Sequence, residues 1–600
     1  MMLNCLPLNK INHKSSAKSP IFYLGLAILI FLIHTMFYVG WCMDDPFITF
    51  RYARNLAEGN GIVFNVGERV DGYSNFLYVL IFTLIIKLGL DPVRISLFLG
   101  LISGIFTLIL VYHFSRKCSS GKGLINYIAL YLLAFNGAFA IWSVGLLESN
   151  FFTFLVLLSV LLFLKGVGLK SEIEKKSSST LLLSAIVLFL LSITRPEGPI
   201  IFTSLFITRV IIILFNKEKI KRQDILWATT YILLYLIYFS WHYCYYGKPF
   251  PNSFYAKATG DIQKQVSAGI IYSIKFVLAN GSILFLFIIF AFMKTKSETR
   301  IDTLHSSSNT NNDDVIGENG RDNSLQCHSE RSEESRIIKP SNEKCKDEIH
   351  NAKVSLITQT ATYWYMFGVI IGYIFFIVYC GGDWMGFHRF FVPILPLIYL
   401  LIQEGAKNIL INSSTPKLPN SFNLKLSNFK PLTISIYIVI MIVIIVNLFI
   451  ESRETYMMRY LVRNKQWIDP YFECANWMKE NLPKDSTLAA EEAGVIPYIT
   501  NFRFIDMFGL VDEHIALMPG GVFEKIDNEY VLNRKPDYIL LHTHIDKKGE
   551  IKKEGFYIAG RDMLKRQKFW DTYKPIQKFI RGKEPFPVNY MVVFKRNKSL

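Results

Sequence analysis

Asp44-Asp45-Pro46-Phe47-Ile48-Thr49-Phe50-Arg51-Tyr52-Ala53-Arg54-Asn55-Leu56-Ala57-Glu58-Gly59-Asn60-Gly61 follows directly on an apolar run, Ile21 to Trp41, and this junction decides how the chain reads. The run is long enough to cross a bilayer, since a spanning helix needs about 20 apolar residues at about 1.5 Å each. No small-residue cleavage site follows it, so a retained first span is expected rather than a cleaved leader. Two adjacent carboxylates then stand where the chain leaves the membrane. Asp before Pro starts a helix, and Gly59 is placed to end it. The plain alternative is a capped interfacial helix, but a cap needs one carboxylate and there are two. The pair sits where a lipid phosphate and a water-borne acceptor meet. Arg51 and Arg54, three apart on one helical face, are candidates for phosphate or headgroup contact, with simple interfacial anchoring as the alternative.

Working outward, the composition agrees with a membrane protein. Of 600 residues, 51% are hydrophobic, 15% aromatic and only 19% charged, where a soluble chain carries about 25% charged residues. Mean hydropathy is +0.29. A disordered, collagen-like or disulfide-framework protein is excluded. The net charge of +17 reads as positive-inside anchoring, and no nucleic-acid partner is expected. The eight cysteines are scattered without a CxxC or a Cys/His cluster, so neither a zinc site nor a disulfide framework is indicated.

Apolar stretches at 21–41, 93–115, 124–143, 151–168, 180–194, 198–215, 225–243, 275–293, 361–380, 390–404 and 432–450 predict about eleven spans. The stretch 74–90 carries Lys87 and reads as an interfacial or partly inserted helix. Basic loops (Lys10, Lys14, Lys18; Arg116, Lys117, Lys122; Lys170, Lys175, Lys176; Lys217, Lys219, Lys221, Arg222; Lys407, Lys417, Lys425, Lys430) all fall on one side if the N-terminus is cytoplasmic. The expected fold is therefore an all-α polytopic membrane domain over 1–450 with a C-terminal α/β domain over 451–600 on the outer face. The expected location is the bacterial cytoplasmic membrane. Residues 296–352 are polar and low in complexity, include His328-Ser-Glu-Arg-Ser-Glu-Glu-Ser-Arg336, and resemble a translated interspersed repeat. They are expected to be a disordered cytoplasmic insert. In the tail, Phe472–Glu480 has helical periodicity, and short apolar runs at Thr487–Ala490, Val495–Ile499, Phe502–Met507, Tyr538–His542 and Tyr590–Phe594 suggest strands between turns and helices.

The other outward loops hold Glu148, then Arg195 and Glu197, then Asn252, Tyr255 and Lys257, then Asp383, His388 and Arg389. A lone charge at a helix end is usually an anchor. Five loops that place carboxylates, bases and aromatics on one face suggest a shared site instead.

The stretch DDPFITFRYARNLAEGNGIVFNVGERVDGYSNFLY from Asp44 to Tyr78 resembles the signature of the mycobacterial terminal β-arabinofuranosyltransferases and their bacterial relatives, within the GT-C superfamily of polyprenyl-phosphate-dependent glycosyltransferases. PFPNSFYAK (249–257), GGDWMGFHRFFVPILP (381–396) and AGVIPYITNFRFIDMFGLVDEHIA (493–516) are similar to later motifs of that family. The resemblance implies a GT-C fold with the catalytic base in the Asp44-Asp45 pair. It implies transfer of a sugar, arabinofuranose among the possibilities, from a polyprenyl-phosphate donor to a glycan or glycolipid acceptor.

The residues suit such a reaction. An acceptor hydroxyl needs a positioned base, and a departing phosphate needs cations. Asp44 is favoured as base, with Asp45 as helix cap or as partner for acceptor or metal. Lys257, His388, Arg389, Arg51 and Arg54 are the candidate cations. No cofactor is indicated beyond a possible divalent cation. The chain holds no P-loop and no GxGxxG after a strand, which argues against a nucleotide donor. A transporter or flippase is the alternative class; it predicts charges in mid-helix and paired broken helices. The topology predicts that Cys474 reacts with a membrane-impermeant thiol reagent on intact spheroplasts while Cys118 does not.

Overall fold

A computed structural model of the chain describes residues 20–117, 124–168, 178–257, 260–280, 282–293, 343–413, 435–436, 438–446, 468–521, 524–546, 548–581 and 589–597. Among these, six helices are long and apolar enough to cross a membrane: Pro92–Arg116, Ser149–Gly166, Gly198–Phe215, Arg222–Tyr246, Thr360–Tyr379 and Arg389–Leu410. Leu124–Ala134 and Gly137–Val144, bent by 49°, make a seventh if counted as one span. Three apolar helices are shorter: Pro20–Met36, Phe76–Lys87 and Ser178–Thr194. The Arg389–Leu410 helix runs through the middle, 94% buried over its apolar window, whereas Arg222–Tyr246 is 17% buried and turns residues such as Leu233 and Ile237 outward. An outward apolar face on a long helix has no solvent but lipid to suit it.

The expected eleven spans are thus only partly recovered. The stretch 275–293 is not one helix. Ile262–Ala279 ends at Asn280, a 3-10 turn follows over Ser282–Phe285, and Leu286–Ala291 resumes. The stretch 124–143 bends at Asn136, whose carbonyl oxygen accepts from the Phe139 amide while its amide donates to Asn280 and Tyr399. These polar side chains interrupt apolar runs that hydropathy alone reads as continuous. The span expected over 432–450 and Cys118 lie partly or wholly outside the described residues, as does most of the 296–352 insert. Its last residues depart from the expectation of disorder: a helix runs from Glu343 to Tyr379. Lys, Asp and Glu there are strong or tolerable helix formers and extend the following apolar helix.

The C-terminal unit is built on six strands: β1 (Thr487–Ala490), β2 (Arg503–Asp506), β3 (Tyr538–Ile545), β4 (Ile551–Gly555), β5 (Tyr573–Ile580) and β6 (Tyr590–Arg596). The order is β2-β1-β3-β6-β5, with β4 on β3. β1 pairs in parallel with β2 and β3, and the remaining pairs are antiparallel. Val495–Thr500 is a helix, not a strand; Asn501 in the left-handed region (φ 58°) ends it. A short apolar run carries no period that separates the two states.

Alternation along the strands serves two cores. Ala489, Ile539, Leu541, Val592 and Phe594 face Val531, Met563, Leu564 and Phe569 from the helices of the C-terminal unit. Leu488, Ala490, Tyr538, Leu540, Met591 and Val593 belong to a cluster that also contains Phe47, Phe50, Tyr52, Ala53, Tyr78 and Phe82. One face of the sheet therefore shares its core with the Pro46–Ala57 and Phe76–Lys87 helices, and the two units pack as one body there.

Cys474 is fully buried in that shared core, so it cannot report the side of the membrane as the sequence suggested. Lys553 is exposed on β4. With Cys244 and Cys380 replaced by Ser, Lys553→Cys should react with an impermeant maleimide on intact spheroplasts. Reaction only after permeabilisation would place the sheet on the cytoplasmic side.

Candidate active site

The helix Pro46–Ala57 begins as the Asp-Pro pair dictates, but its two aspartates do different work. Asp45 is the residue before the helix, and its side chain makes no capping bond. The expectation of Asp45 as a cap is corrected. Asp44 caps a different helix: its Oδ2 accepts from the Gly494 amide and its Oδ1 from the Val495 amide, both at 2.7 Å. A Cβ at Gly494 would lie 2.1 Å from the Asp44 carbonyl oxygen, so only glycine admits this approach. Burial, then the nearby charge of Glu492, push the Asp44 carboxyl up to about 7 against those two amide bonds. Burial likewise raises Asp45, opposed by the charges of Lys257 and Arg389.

Arg51 and Arg54 hold the other end of the same short helix. Arg51 is buried and donates to Phe64 O, Asn65 Oδ1, Pro497 O and Phe502 O at 2.6–3.1 Å. Arg54 donates to Tyr498 O and Asn501 Oδ1 at 2.7 and 2.8 Å. These guanidiniums are consumed by protein oxygens, so the expected phosphate contacts are not made by them. Asn252 is likewise structural: its Nδ2 donates to Gly509, Leu510 and Asp512 carbonyls. Tyr255 packs beside the Lys248 ammonium, 5.3 Å from its ring centre, and is not among the cavity-lining residues. His388 adopts φ 48° and packs on Tyr272 and Phe276 away from the cavity; burial drives its imidazole down to about 4, so it is neutral there.

The remaining predicted residues do converge. A cavity of about 460 Å³ is lined by Asp45, Glu148, Arg195, Glu197, Lys257, Asp383 and Arg389 together. Arg195 pairs with Glu148 at 2.5 Å and also with Glu197. Asn75 donates to Glu148 at 2.8 Å and accepts from Thr49 at 3.0 Å, which braces the wall. Arg389 pairs with Asp383 at 2.6 Å. Lys257 differs: among the described residues no carboxylate lies within ion-pair distance of its ammonium, and it is exposed to the cavity. Burial of its surroundings lowers its pKa, with Asp45 opposing.

A second cavity, about 290 Å³, adjoins the first. Asp45, Ile48, Lys257, Trp384 and Leu510 line both. Its other walls come mostly from the C-terminal unit: Tyr471, Glu491, Glu492, Phe508, Phe556, Tyr557 and Arg581. The sequence reading missed these. A signal was present, since Glu491 and Glu492 directly follow β1 and Phe508 closely follows β2, and ligand crevices in open sheets lie beyond the carboxyl ends of parallel strands. No group of three or more His, Cys, Asp or Glu side chains among the described residues is arranged to hold a metal. Asp44 is committed to two amides, so the acidic pair does not act as a joint ligand.

Residues 458–594 match a family described as Domain of unknown function (DUF8728). No curated protein matches by sequence. Among solved structures, similar folds include ArnT from Cupriavidus metallidurans bound to undecaprenyl phosphate, at 9% identity and TM-score 0.49, over 96% of this chain and 98% of that one. The arabinofuranosyltransferase AftD from Mycobacteria is similar at 11% identity and TM-score 0.43, over 97% of this chain and 40% of that one. The archaeal oligosaccharyltransferase AglB from Archaeoglobus fulgidus, in complex with an inhibitory peptide and a dolichol-phosphate, is similar at 10% identity and TM-score 0.41, over 96% and 76%. At these identities and scores the likeness carries nothing about the chemistry of this chain.

The two aspartates separate by stability. Asp44→Asn turns an amide N–H₂ toward two backbone N–H donors and should lower stability by about 1–3 kcal/mol, read as a lower unfolding temperature in detergent. Asp45→Asn should leave that temperature unchanged or raised. A carboxyl whose pKa is raised by folding destabilises the fold once ionised, and the amide removes that charge.

Proposed function

We propose that the chain is a membrane glycosyltransferase of the GT-C kind, moving a sugar from a polyprenyl-phosphate donor to a hydroxyl on a cell-envelope glycan or glycolipid. One observation carries the reading: Asp45 and Lys257 stand together in the wall between two adjoining cavities. A two-substrate transfer needs such a wall, with a base and a cation facing the place where both substrates meet. The signature resemblance of residues 44–78 supports the same class.

In this reading the larger cavity takes the sugar-phosphate end of the donor. The Lys257 ammonium, unpaired with any carboxylate among the described residues, meets the phosphate. Arg389 and Arg195 are already paired with acids and set the shape and potential of the wall. The acceptor hydroxyl enters from the smaller cavity. Its oxygen attacks the anomeric carbon and the bond from that carbon to the phosphate oxygen breaks. The proton passes to the Asp45 carboxylate, and the electron pair leaves with polyprenyl phosphate, whose charge Lys257 stabilises. No covalent enzyme intermediate is required. Asp45 replaces Asp44 as the preferred base because Asp44 is occupied by Gly494 and Val495. The apolar outward faces of the spanning helices suit an isoprenoid tail, whose burial contributes about 25 cal/mol per Å² of apolar surface. The sugar and the cytoplasmic-membrane location, with the C-terminal unit outside, belong to this proposal.

Reconstituted protein supplied with labelled polyprenyl-phosphate sugars and a membrane acceptor fraction should transfer label. Asp45→Asn should lower turnover by orders of magnitude with insertion intact, because an amide accepts no proton. Transfer from a nucleotide sugar without a lipid-linked intermediate, or movement of intact lipid-linked glycan without bond cleavage, would overturn the reading.

The pH profile supplies a second check. The base works ionised, so kcat/KM falls as pH drops through the Asp45 pKa. Lys257→Met removes a charge that holds this pKa down, so the acid limb should move to higher pH as the overall rate falls. An unmoved limb would show that Asp45 is not the titrating base.

A further inference from the structure

The smaller cavity has a chemistry unlike that of the larger one. Trp384 and Phe556 line it with rings 54% and 45% exposed. Tyr471, Phe508 and Tyr557 add further aromatic surface. Bare aromatic faces inside a polar cavity are unsatisfied unless a ligand with apolar C–H faces covers them.

The polar groups beside those rings are matched among themselves. Glu492 accepts from Tyr471 at 2.6 Å, Tyr557 at 2.9 Å and His542 at 2.5 Å, and it stands 3.5 Å from Arg581. Glu491 accepts from the amides of Gly560 at 2.8 Å and His542 at 3.2 Å. Arg581 Nη1 contacts Tyr557 at 3.4 Å and His542 at 3.2 Å, which leaves its Nε and Nη2 donors toward the cavity. Its positive charge is already answered by Glu492, which those donors and charges hold down to about 2, while burial and the Glu492 charge push Glu491 up to about 8 and so keep it neutral. The wall therefore offers hydrogen-bond donors, acceptors and aromatic faces, but no cation of its own left to answer an anion. The only other cation, Lys257, stands at the shared wall.

We propose that this cavity, formed largely by the C-terminal unit, is the acceptor subsite and binds an uncharged glycosyl residue. The identification as acceptor rests on the transfer reading above. A neutral sugar ring combines what the wall asks for: apolar C–H faces to lie on Phe556 and Trp384, and hydroxyls to bond Arg581 and the tyrosine–glutamate network. An acceptor with a phosphate or carboxylate at this ring would bring an anion beside Glu492 and the aspartate pair, where like charge repels it. Phe556, which lines the smaller cavity and not the larger, is the specificity-determining residue.

The test is direct binding of neutral arabinofuranosyl and glucosyl oligosaccharides, and of uronic-acid oligomers of equal length, to the full chain in lipid nanodiscs by calorimetry and saturation-transfer NMR. Neutral oligomers should bind. Phe556→Ala should weaken them at least about tenfold through lost ring contact, and Phe556→Tyr should restore near wild-type affinity. Transfer of sugar from the lipid donor to water should be unchanged in both variants. Tighter binding of the uronic-acid oligomers, no binding of any neutral oligomer, or equal affinity in Phe556→Ala would overturn the subsite. If neutral oligomers bind in a Phe556-dependent way yet no variant or wild-type protein cleaves a lipid-linked sugar, the saccharide site stands and the transfer reading falls.

Discussion

A six-residue helix, Val495–Thr500, held at both ends by the loop after the first apolar helix, is the constraint on which the site depends. The Asp44 carboxylate takes the amides at its start, and Arg51 and Arg54 take the carbonyls and Asn501 at its end. Negative charge at the N-terminus and positive charge at the C-terminus complement the helix dipole. The first turns of any helix leave amides unsatisfied and the last leave carbonyls unsatisfied; here both sets are answered from one other helix, Pro46–Ala57. Losing either end would leave buried polar groups bare, at a cost comparable to a whole hydrogen bond each.

That clamp explains where the chemistry sits. With Asp44 anchored, its neighbour Asp45 has nowhere to turn but into the cavities, and no capping bond holds it back. The shared core of the sheet face with Phe47, Phe50 and Tyr52 keeps the C-terminal unit pressed against the same helix. The seam between the two units becomes the wall of a site. The carboxyl ends of β1 and β2 deliver Glu491, Glu492 and Phe508 to that wall from the far side.

Charge is distributed unevenly around it. Arg195 and Arg389 are neutralised by near neighbours, and Glu492 is surrounded by donors. These groups give shape. Asp45 and Lys257 are left with each other's field and the cavity space, and it is unmatched groups of this sort that react or bind.

Much was legible in the chain. Spacing of apolar runs located most of the long helices, because a bilayer admits few alternatives to a helix of about 20 apolar residues. Alternating and turn-bounded runs located β1, β2, β3 and β6. The loop charges Glu148, Arg195, Glu197, Lys257, Asp383 and Arg389 were rightly grouped, since helix ends on one side of a bundle share a surface. Local sequence settles such matters because periodicity and helix ends are local. It did not settle which aspartate was free, nor that Arg51, Arg54 and Asn252 would be spent on carbonyls, nor that the tail would supply half the site. Asp44 meets Gly494 and Val495 across about 450 residues, and a side chain's role depends on partners that only chain folding brings within 3 Å. Residue type told which groups were capable of chemistry; tertiary hydrogen bonding decided which of them remained available for it.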